Sequence, residues 1–381
     1  MKIGFVLDDG LDSSDGVQQY VLTLGAWLSA NGHSVHYIAG QTERSDIQNL
    51  HALATNIRVR FNKNRLAIPL SSSRRKIVEL LDGEQFDVLH VQMPFSPQYA
   101  GRIIRLAPRT TAIVGTFHIL PYASLQTIGA KLLGVASKKS LQRFNEVVSV
   151  SPAAQAFAQE AMGIQSSVIP NAVNLSTFRK GSVLPKYDDD VQTIVFLGRL
   201  VERKGCIELL QAVSHLVRAG KFNGRRLVIC GAGPLQSKVD DYIHRHGLMS
   251  VVECVGRISE QDKPGYLASA DLAIFPSKGG ESFGIVLVEA IAAGAGVTVG
   301  GDNPGYRYVL NERTEALVDP NNTLDFANKL DELLENKTVS KTLGAMQRKD
   351  IEQFDVGRVG NQLLEVYSRS IAKATHKLNN R

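Results

Sequence analysis

Thr193-Ile-Val-Phe-Leu-Gly198-Arg199-Leu-Val-Glu-Arg203-Lys204-Gly205 decides the fold class, because four apolar residues, Ile194 to Leu197, run without alternation into a short loop that ends in glycine. A strand buried on both faces needs such a continuous run, and parallel sheets are where those strands occur. Apolar spacing over 206–217 then predicts a helix, completing a strand–loop–helix unit. Working outward, strands are expected at 227–230, 251–255 and 272–275, with helices at 263–268 and 284–293. The first half repeats the pattern. Its apolar run 2–7 ends in Asp8, Asp9 and Gly10, and the helical spacing from Val17 stops at Asn31-Gly32. Strands follow at 35–39, 88–91, 112–116 and 147–150, with helices at 74–81 and 138–144.

Alternation of this kind predicts two doubly wound, Rossmann-like α/β sheets. The pattern breaks into a polar connector from Ile169-Pro170-Asn171 to Asp190, so domains are expected at 1–175 and 190–355. A final helical segment, 356–381, is expected to pack back on the first domain. The length of 381 residues suits two cores of roughly 150 to 200 residues each. With 44% hydrophobic and 21% charged residues, 33 Gly and 13 Pro, the chain is no collagen, coiled coil or disordered polymer.

No apolar stretch approaches the roughly 18 residues of a spanning helix, so membrane contact is expected to be peripheral. Cys206, Cys230 and Cys254 are too few and too scattered for a disulfide framework, which fits a reducing cytoplasm. The net charge of +6 is regional. Residues 51–145 hold 14 Lys/Arg against 4 Asp/Glu, a net +10, which leaves −4 for the rest.

Function is expected in the loops at the carboxyl ends of the strands, facing a cleft between the domains. The loop from Asp8 to Gly16 opens a helix whose first amides could meet an anion. Gly231 and Gly233 are followed three residues later by Gln236 rather than glycine, so the dinucleotide fingerprint is absent and a dehydrogenase is disfavoured. Arg199 and Lys204 sit on one strand-to-helix loop and could converge on a pyrophosphate, the guanidinium as a planar fork and the ammonium as a mobile charge.

Gly279-Gly280-Glu281-Ser282-Phe283-Gly284-Ile285-Val286-Leu287-Val288-Glu289-Ala290 places a glycine turn and a carboxylate before an apolar helix carrying a second carboxylate. A helix starting near Phe283 would aim the amides of Phe283, Gly284, Ile285 and Val286 at a phosphate. Glu289 would lie roughly 8 to 9 Å further along its axis. From the residues alone, Glu281 is equally a helix cap and Glu289 a satisfied buried acid. His118, at the end of the 112–116 strand, is a candidate for contact with substrate.

These segments together resemble the retaining glycosyltransferases of the GT-B fold, whose Glu, seven residues, Glu motif is matched by Glu281 and Glu289. Asp15-Gly16-Val17-Gln18, Thr116-Phe117-His118, Ile169-Pro170-Asn171, Gly198-Arg199 with Lys204-Gly205, and Gly231-Ala232-Gly233-Pro234 are further matches, so the resemblance spans nearly the whole chain. Within the family the chain looks most like the bacterial phosphatidylinositol mannosyltransferases, which move mannose from GDP-mannose to a membrane inositol lipid. Asp15-Gly16 replaces the family's paired glycines, and Asn171-Ala172-Val173-Asn174 its Asn-Gly-Val-Asp.

The resemblance implies roles. Arg199 and Lys204, with Gly16 from the other domain, would hold the donor diphosphate, alongside Gly231 and Gly233. Glu281 would read the sugar hydroxyls, Glu289 the ribose, and His118 would touch the transferred sugar. Ile258 and Glu260, on the loop after strand 251–255, would meet the base, and a carboxylate there favours guanine's paired NH donors. The substrate is then GDP-mannose, with UDP-glucose as the alternative. No cofactor or Mg²⁺ is obligatory, because Arg199, Lys204 and helix amides supply the positive charge. Retention would proceed by front-face attack or by double displacement.

Lys63, Arg65, Arg74, Arg75 and Lys76 form the centre of the basic segment, and a lipid acceptor in an anionic membrane surface would explain them. Nucleic acid is not the expected polyanion, since interleaved aromatics and zinc or helix-turn-helix signatures are missing. Other acceptors stay open: a diacylglycerol, a soluble inositol phosphate, a hydroxy acid or a glycan. So does a different class, a protein that binds or epimerises a nucleotide sugar. The expected location is the cytoplasmic face of the membrane.

Overall fold

The computed structural model describes residues 1–12, 15–54, 56–61, 64–69, 72–122 and 124–379, with side chains left out at 56–61, 64–69, 124–128 and 377–379. It divides into two compact units, Met1–Ala172 with Val356–Arg381, and Val173–Asp355.

In the first unit the elements are β1 (Lys2–Val6), α1 (Gly16–Ala30), β2 (Ser34–Ala39), β3 (Leu50–Ala52), β4 (Asn56–Phe61), β5 (Asn64–Pro69) and α2 (Arg74–Glu84). They continue as β6 (Val88–Met93), α3 (Ala100–Leu106), β7 (Ala112–Phe117), α4 (Ser124–Leu141), β8 (Glu146–Ser149), α5 (Pro152–Met162) and β9 (Ser167–Val168). Seven of the strands form a parallel sheet in the order β3-β2-β1-β6-β7-β8-β9, and β4 and β5 form a separate antiparallel hairpin. Every residue of β6 and β7 is buried, as strands covered on both faces must be, although His90, Gln92 and Thr116 interrupt their apolar sequence. Local signals fix the helix ends. Ser151 Oγ accepts from the Ala154 amide at 3.1 Å to start α5, Pro152 follows it, and Gly163 closes the helix.

The second unit runs α6 (Leu175–Phe178), β10 (Gln192–Leu197), α7 (Cys206–Arg218), β11 (Arg225–Cys230), α8 (Gln236–Arg245), β12 (Val252–Gly256), α9 (Lys263–Ala268), β13 (Leu272–Phe275) and α10 (Ile285–Ala293). It ends with β14 (Val297–Gly301), α11 (Pro304–Val309), β15 (Leu317–Val318), α12 (Thr323–Glu335) and α13 (Lys337–Asp350). Its sheet is parallel in the order β12-β11-β10-β13-β14-β15. Leu209, Leu210, Val213 and Leu216 of α7 are buried at the spacing the sequence predicts. At about 1.5–3 kcal/mol for each fully buried apolar side chain, this face fixes where α7, and the loop before it, must lie.

The chain then returns to the first unit as α14 (Val356–Asn379). Val359, Leu363, Val366 and Tyr367 join the core made by β1, α1, β6 and β7. Tyr367 Oη lies 2.7 Å from His90 Nδ1, and His90 Nε2 lies 2.6 Å from Thr116 Oγ1, so a satisfied polar chain crosses an otherwise apolar interior.

Two parallel Rossmann-like sheets are therefore present, as the sequence predicts, with local differences. Helix α4 starts at Ser124, well before residue 138, because Gly129 and Gly134 interrupt its apolar spacing without ending it. Asn64 and Arg65, read as loop, lie in β5. Residues 173–190, read as a connector, belong to the second unit: the Leu184 amide donates to Ser269 Oγ at 2.9 Å and Tyr187 Oη to Glu253 at 2.9 Å. Among the described residues, no helix is long and apolar enough to cross a membrane.

Candidate active site

In a doubly wound sheet, loops diverge where the strand order reverses, leaving a crevice at the carboxyl ends of two adjacent strands. In the second unit that point lies between β10 and β13. The loop after β10 carries Arg199, Arg203 and Lys204, and the loop after β13 carries Ser277 and Glu281. Lys204 Nζ is 2.8 Å from Glu281 Oε1, and an Arg203 guanidinium nitrogen donates to the same oxygen. Ser277 Oγ also lies 2.8 Å from it. The Lys278 amide donates to the Arg203 carbonyl at 2.8 Å, locking the two loops together.

Glycine permits this closeness. Gly205 has φ +72°, and a Cβ there would fall 2.0 Å from the Pro276 carbonyl oxygen. At Gly231, after β11, a Cβ would meet the Gly198 carbonyl oxygen at 1.9 Å. Gly233 lies equally tight against Leu200. From β14, Asn303 Nδ2 donates to the Ser277 carbonyl at 3.1 Å while its Oδ1 accepts from the Tyr306 amide at 3.1 Å. The crevice is thus braced from four strands.

Burial alone would raise the Glu281 pKa, but the charges of Lys204 and Arg203 outweigh it and hold the carboxyl at about 2. The same burial lowers the Lys204 pKa, opposed by Glu281 and reinforced by Arg203 and Arg199. Glu281 is therefore ionised at any physiological pH. Arg199 is exposed on the same loop.

Helix α10 begins at Ile285, one residue later than the expected 284–293 and two later than a start at Phe283, because Gly284 takes φ 129° as the N-cap. Phe283 is buried outside the helix, with its ring centroid 5.1 Å from that of Phe354. The amide end therefore presents Ile285 and Val286, which have no acceptor within the helix. Glu289, one turn on, is 4% exposed, and both its oxygens face Lys263 Nζ, at 3.2 and 3.3 Å. Burial raises its pKa, and Lys263 opposes the shift. Lys263 also reaches Glu260 at 2.6 Å, on the loop that carries Ile258.

In the first unit the strand order reverses between β1 and β6. Asp8, after β1, accepts from the amides of Ser96 and Ala100 after β6. Burial pushes its pKa up to about 7, those amides opposing the rise and Asp9 adding to it. Gly16 is the exposed first residue of α1. His118 follows β7 and is 7% exposed; its Nε2 lies 2.8 Å from Gln92 Oε1 and its ring 5.0 Å from that of Tyr20. Burial lowers its pKa to about 3, so the ring is neutral with the proton on Nε2.

Arg74, Arg75 and Lys76 form the exposed first turn of α2, where Arg75 pairs with Glu79 at 2.6 Å. Lys63 lies outside the described residues, as does the Arg65 side chain. A groove of about 540 Å³ between α4, β8 and the end of α5 is lined by none of the predicted site residues. Sequence reading missed Arg203, Ser277, Asn303 and Lys263. Arg203 adjoins Lys204 in the quoted loop, whereas the other three become partners only when distant loops meet.

Two Rossmann-like parallel sheets, with a cation-flanked carboxylate at the switch point of the second, are the arrangement the resemblance to GT-B glycosyltransferases implies. Solved structures of this architecture superpose over nearly all of the chain. A sucrose-phosphate synthase from Thermosynechococcus elongatus matches with a TM-score of 0.75 at 20% identity, covering 98% of this chain and 99% of that one. A glycosyltransferase from Rickettsia africae matches with a TM-score of 0.74 at 19% identity, covering 97% and 98%. Residues 184–350 match the family described as "Glycosyl transferases group 1", and residues 14–177 match "Glycosyltransferase Family 4". The chain belongs to the group 1 glycosyltransferases of the GT-B fold.

Its similarity to particular relatives is end to end. It is 31% identical over 376 residues to a phosphatidyl-myo-inositol mannosyltransferase of Mycobacterium leprae, covering 96% of each chain. The enzyme of that name from Mycobacterium tuberculosis is 29% identical over 377 residues, again with 96% of each covered. A GDP-mannose-dependent alpha-(1-6)-phosphatidylinositol monomannoside mannosyltransferase of Mycobacterium tuberculosis is 25% identical over 367 residues, covering 91% of this chain and 93% of that one.

Proposed function

We propose that this glycosyltransferase moves mannose from GDP-mannose to phosphatidylinositol at an anionic membrane surface, with retention of anomeric configuration. The observation that carries the reading is the convergence of Lys204 and Arg203 on Glu281 at the β10–β13 switch point. Two relatives named for phosphatidyl-myo-inositol and one for GDP-mannose support the acceptor and donor.

Breaking the anomeric C–O bond leaves a nucleoside diphosphate and an oxocarbenium-like sugar, so the barrier falls where positive charge is already aimed at the departing oxygens. Arg199, Lys204 and the amides of Ile285 and Val286 supply that charge, with the backbone at Gly231 and Gly233 beside them. In this reading no Mg²⁺ is obligatory. Glu281, fixed and ionised, accepts from sugar hydroxyls. Glu289 reads the ribose, and Glu260 with Ile258 the base. Because Glu281 titrates near 2 and His118 near 3, neither exchanges a proton at neutral pH. In this reading the acceptor hydroxyl gives its proton to the departing phosphate as its oxygen bonds to the anomeric carbon on the same face. His118, whose ring is held by Gln92 through Nε2, would contact the transferred sugar.

Arg74, Arg75 and Lys76 would hold the enzyme at the lipid surface, each contributing on the order of 1 kcal/mol near an anionic leaflet. The test incubates the enzyme with GDP-mannose and vesicles containing phosphatidylinositol and measures both GDP and the mannolipid. Equimolar products are expected only with the acceptor present, with α-linked mannose. Transfer to diacylglycerol or from UDP-glucose alone would overturn the donor and acceptor assignment, and a β-linked product would overturn retention.

A further inference from the structure

His36, His51 and Glu84 are far apart in sequence and belong to none of the segments that bear on glycosyl transfer. Parallel register brings the two histidines together: Ile38 of β2 pairs with His51 of β3, so His36, two residues before Ile38, projects from the same sheet face as His51. Glu84, the last residue of α2, lies over that face. The imidazoles stack with centroids 5.4 Å apart and planes 4° from parallel, and His36 Nδ1 is 3.1 Å from His51 Nε2. One ligating atom from each of the three residues lies within 4.8 Å of the other two. Two nitrogens bound to one tetrahedral zinc stand about 3.3 Å apart, given zinc–nitrogen bonds of about 2.0–2.1 Å. That spacing, bridged by a hydrogen bond between the two rings, is close to the separation at which one ion binds both nitrogens, so a small turn of each ring would let a metal take the proton's place.

We propose that His36, His51 and Glu84 bind a divalent transition metal of zinc's chemistry, with water completing the coordination. The surroundings support this. His36 is 6% exposed, and its Nε2 lies 3.2 Å from Ser34 Oγ and 3.6 Å from Glu84 Oε2, so the carboxylate flanks the same ring whose Nδ1 faces His51. Glu84 is kept ionised by Lys2, whose Nζ lies 3.0 Å away and whose side chain is 34% exposed, so the ammonium can withdraw to water when a cation takes its place. Two imidazoles with one carboxylate favour zinc over magnesium or calcium, which take oxygen ligands. The ion would fasten β3, a three-residue edge strand, to β2 and to the end of α2.

The site stands or falls independently of the transfer reaction. Zinc chloride titrated calorimetrically into chelator-treated full-length enzyme should bind at one equivalent per chain, and zinc should raise the melting temperature where magnesium does not. His51→Ala and Glu84→Gln should each weaken binding at least tenfold, while His246→Ala, an exposed histidine of the second unit, should leave it unchanged. Should the metal-free His51→Ala protein prove misfolded by circular dichroism, Glu84→Gln carries the comparison. Cobalt(II) should give the visible absorption of a tetrahedral nitrogen-bound ion in the wild type. Absence of zinc binding by the wild type, equal affinity in folded variants, or equal stabilisation by magnesium would overturn the proposal.

Discussion

Charge placement around single carboxylates gives the sharpest expectations at the scale of the residue. Asp8 has its pKa raised from 3.8 to about 7 by burial, so the folded chain keeps a proton that the unfolded chain loses. Its contribution to stability is complete below pH 4 and disappears as pH rises through 7. Asp8→Asn, which stays neutral, should therefore gain melting temperature relative to wild type between pH 5 and pH 8, and an equal difference at both values would refute the assignment. Lys263 and Glu289 form a pair with each residue about 95% buried. Removing one partner from such a pair costs about 3–5 kcal/mol, so Lys263→Met should lose that amount in urea denaturation, and a change under about 0.5 kcal/mol would show that the pair carries nothing. Glu289 was visible in the sequence through its spacing from Glu281. Lys263 was not, because it follows an unremarkable loop and gains meaning only when α9 docks beside α10.

Elements were legible wherever one period dominated. The continuous apolar run of β10, the predominantly apolar runs of β6 and β7 and the helical spacing of α7 needed no tertiary information. The β4–β5 hairpin was missed although Ile57, Val59 and Phe61 alternate with Arg58 and Arg60, a period of two that the basic residues hid within a presumed loop. The start of α10 reads slightly early because Phe283 is as apolar as the helix that follows, and only the backbone of Gly284 shows where the turn ends. Loop–loop contacts were illegible altogether, since the approach of Gly205 to Pro276 joins segments some seventy residues apart. Gly205→Ala should both strain a left-handed residue and push the β10 loop from the β13 loop, at a cost of about 1–3 kcal/mol from the backbone conformation alone. Urea denaturation should show at least that loss, and donor affinity should fall with it; an unchanged midpoint would mean the loops are not locked as described.

Across the whole molecule, charge is divided by region: 51–145 carries +10 while the remainder carries −4. Reversing Arg74, Arg75 and Lys76 to Glu should reduce co-sedimentation with vesicles containing anionic lipid at least tenfold, and wild-type binding should weaken as salt rises. Unchanged, salt-independent sedimentation would remove the membrane role of α2. The division into two parallel sheets was readable from alternation alone, and the family from ordered motifs, but donor and acceptor are matters of a few side chains in loops. The central claim is that the second unit's β10 and β13 loops hold the departing diphosphate. Calorimetric titration of GDP into the full-length enzyme tests it most directly, with Lys204→Ala compared against Arg307→Ala, an exposed arginine paired with Asp302. One GDP per chain should bind the wild type and Arg307→Ala alike and Lys204→Ala at least tenfold more weakly, whereas equal affinity in all three would contradict the account.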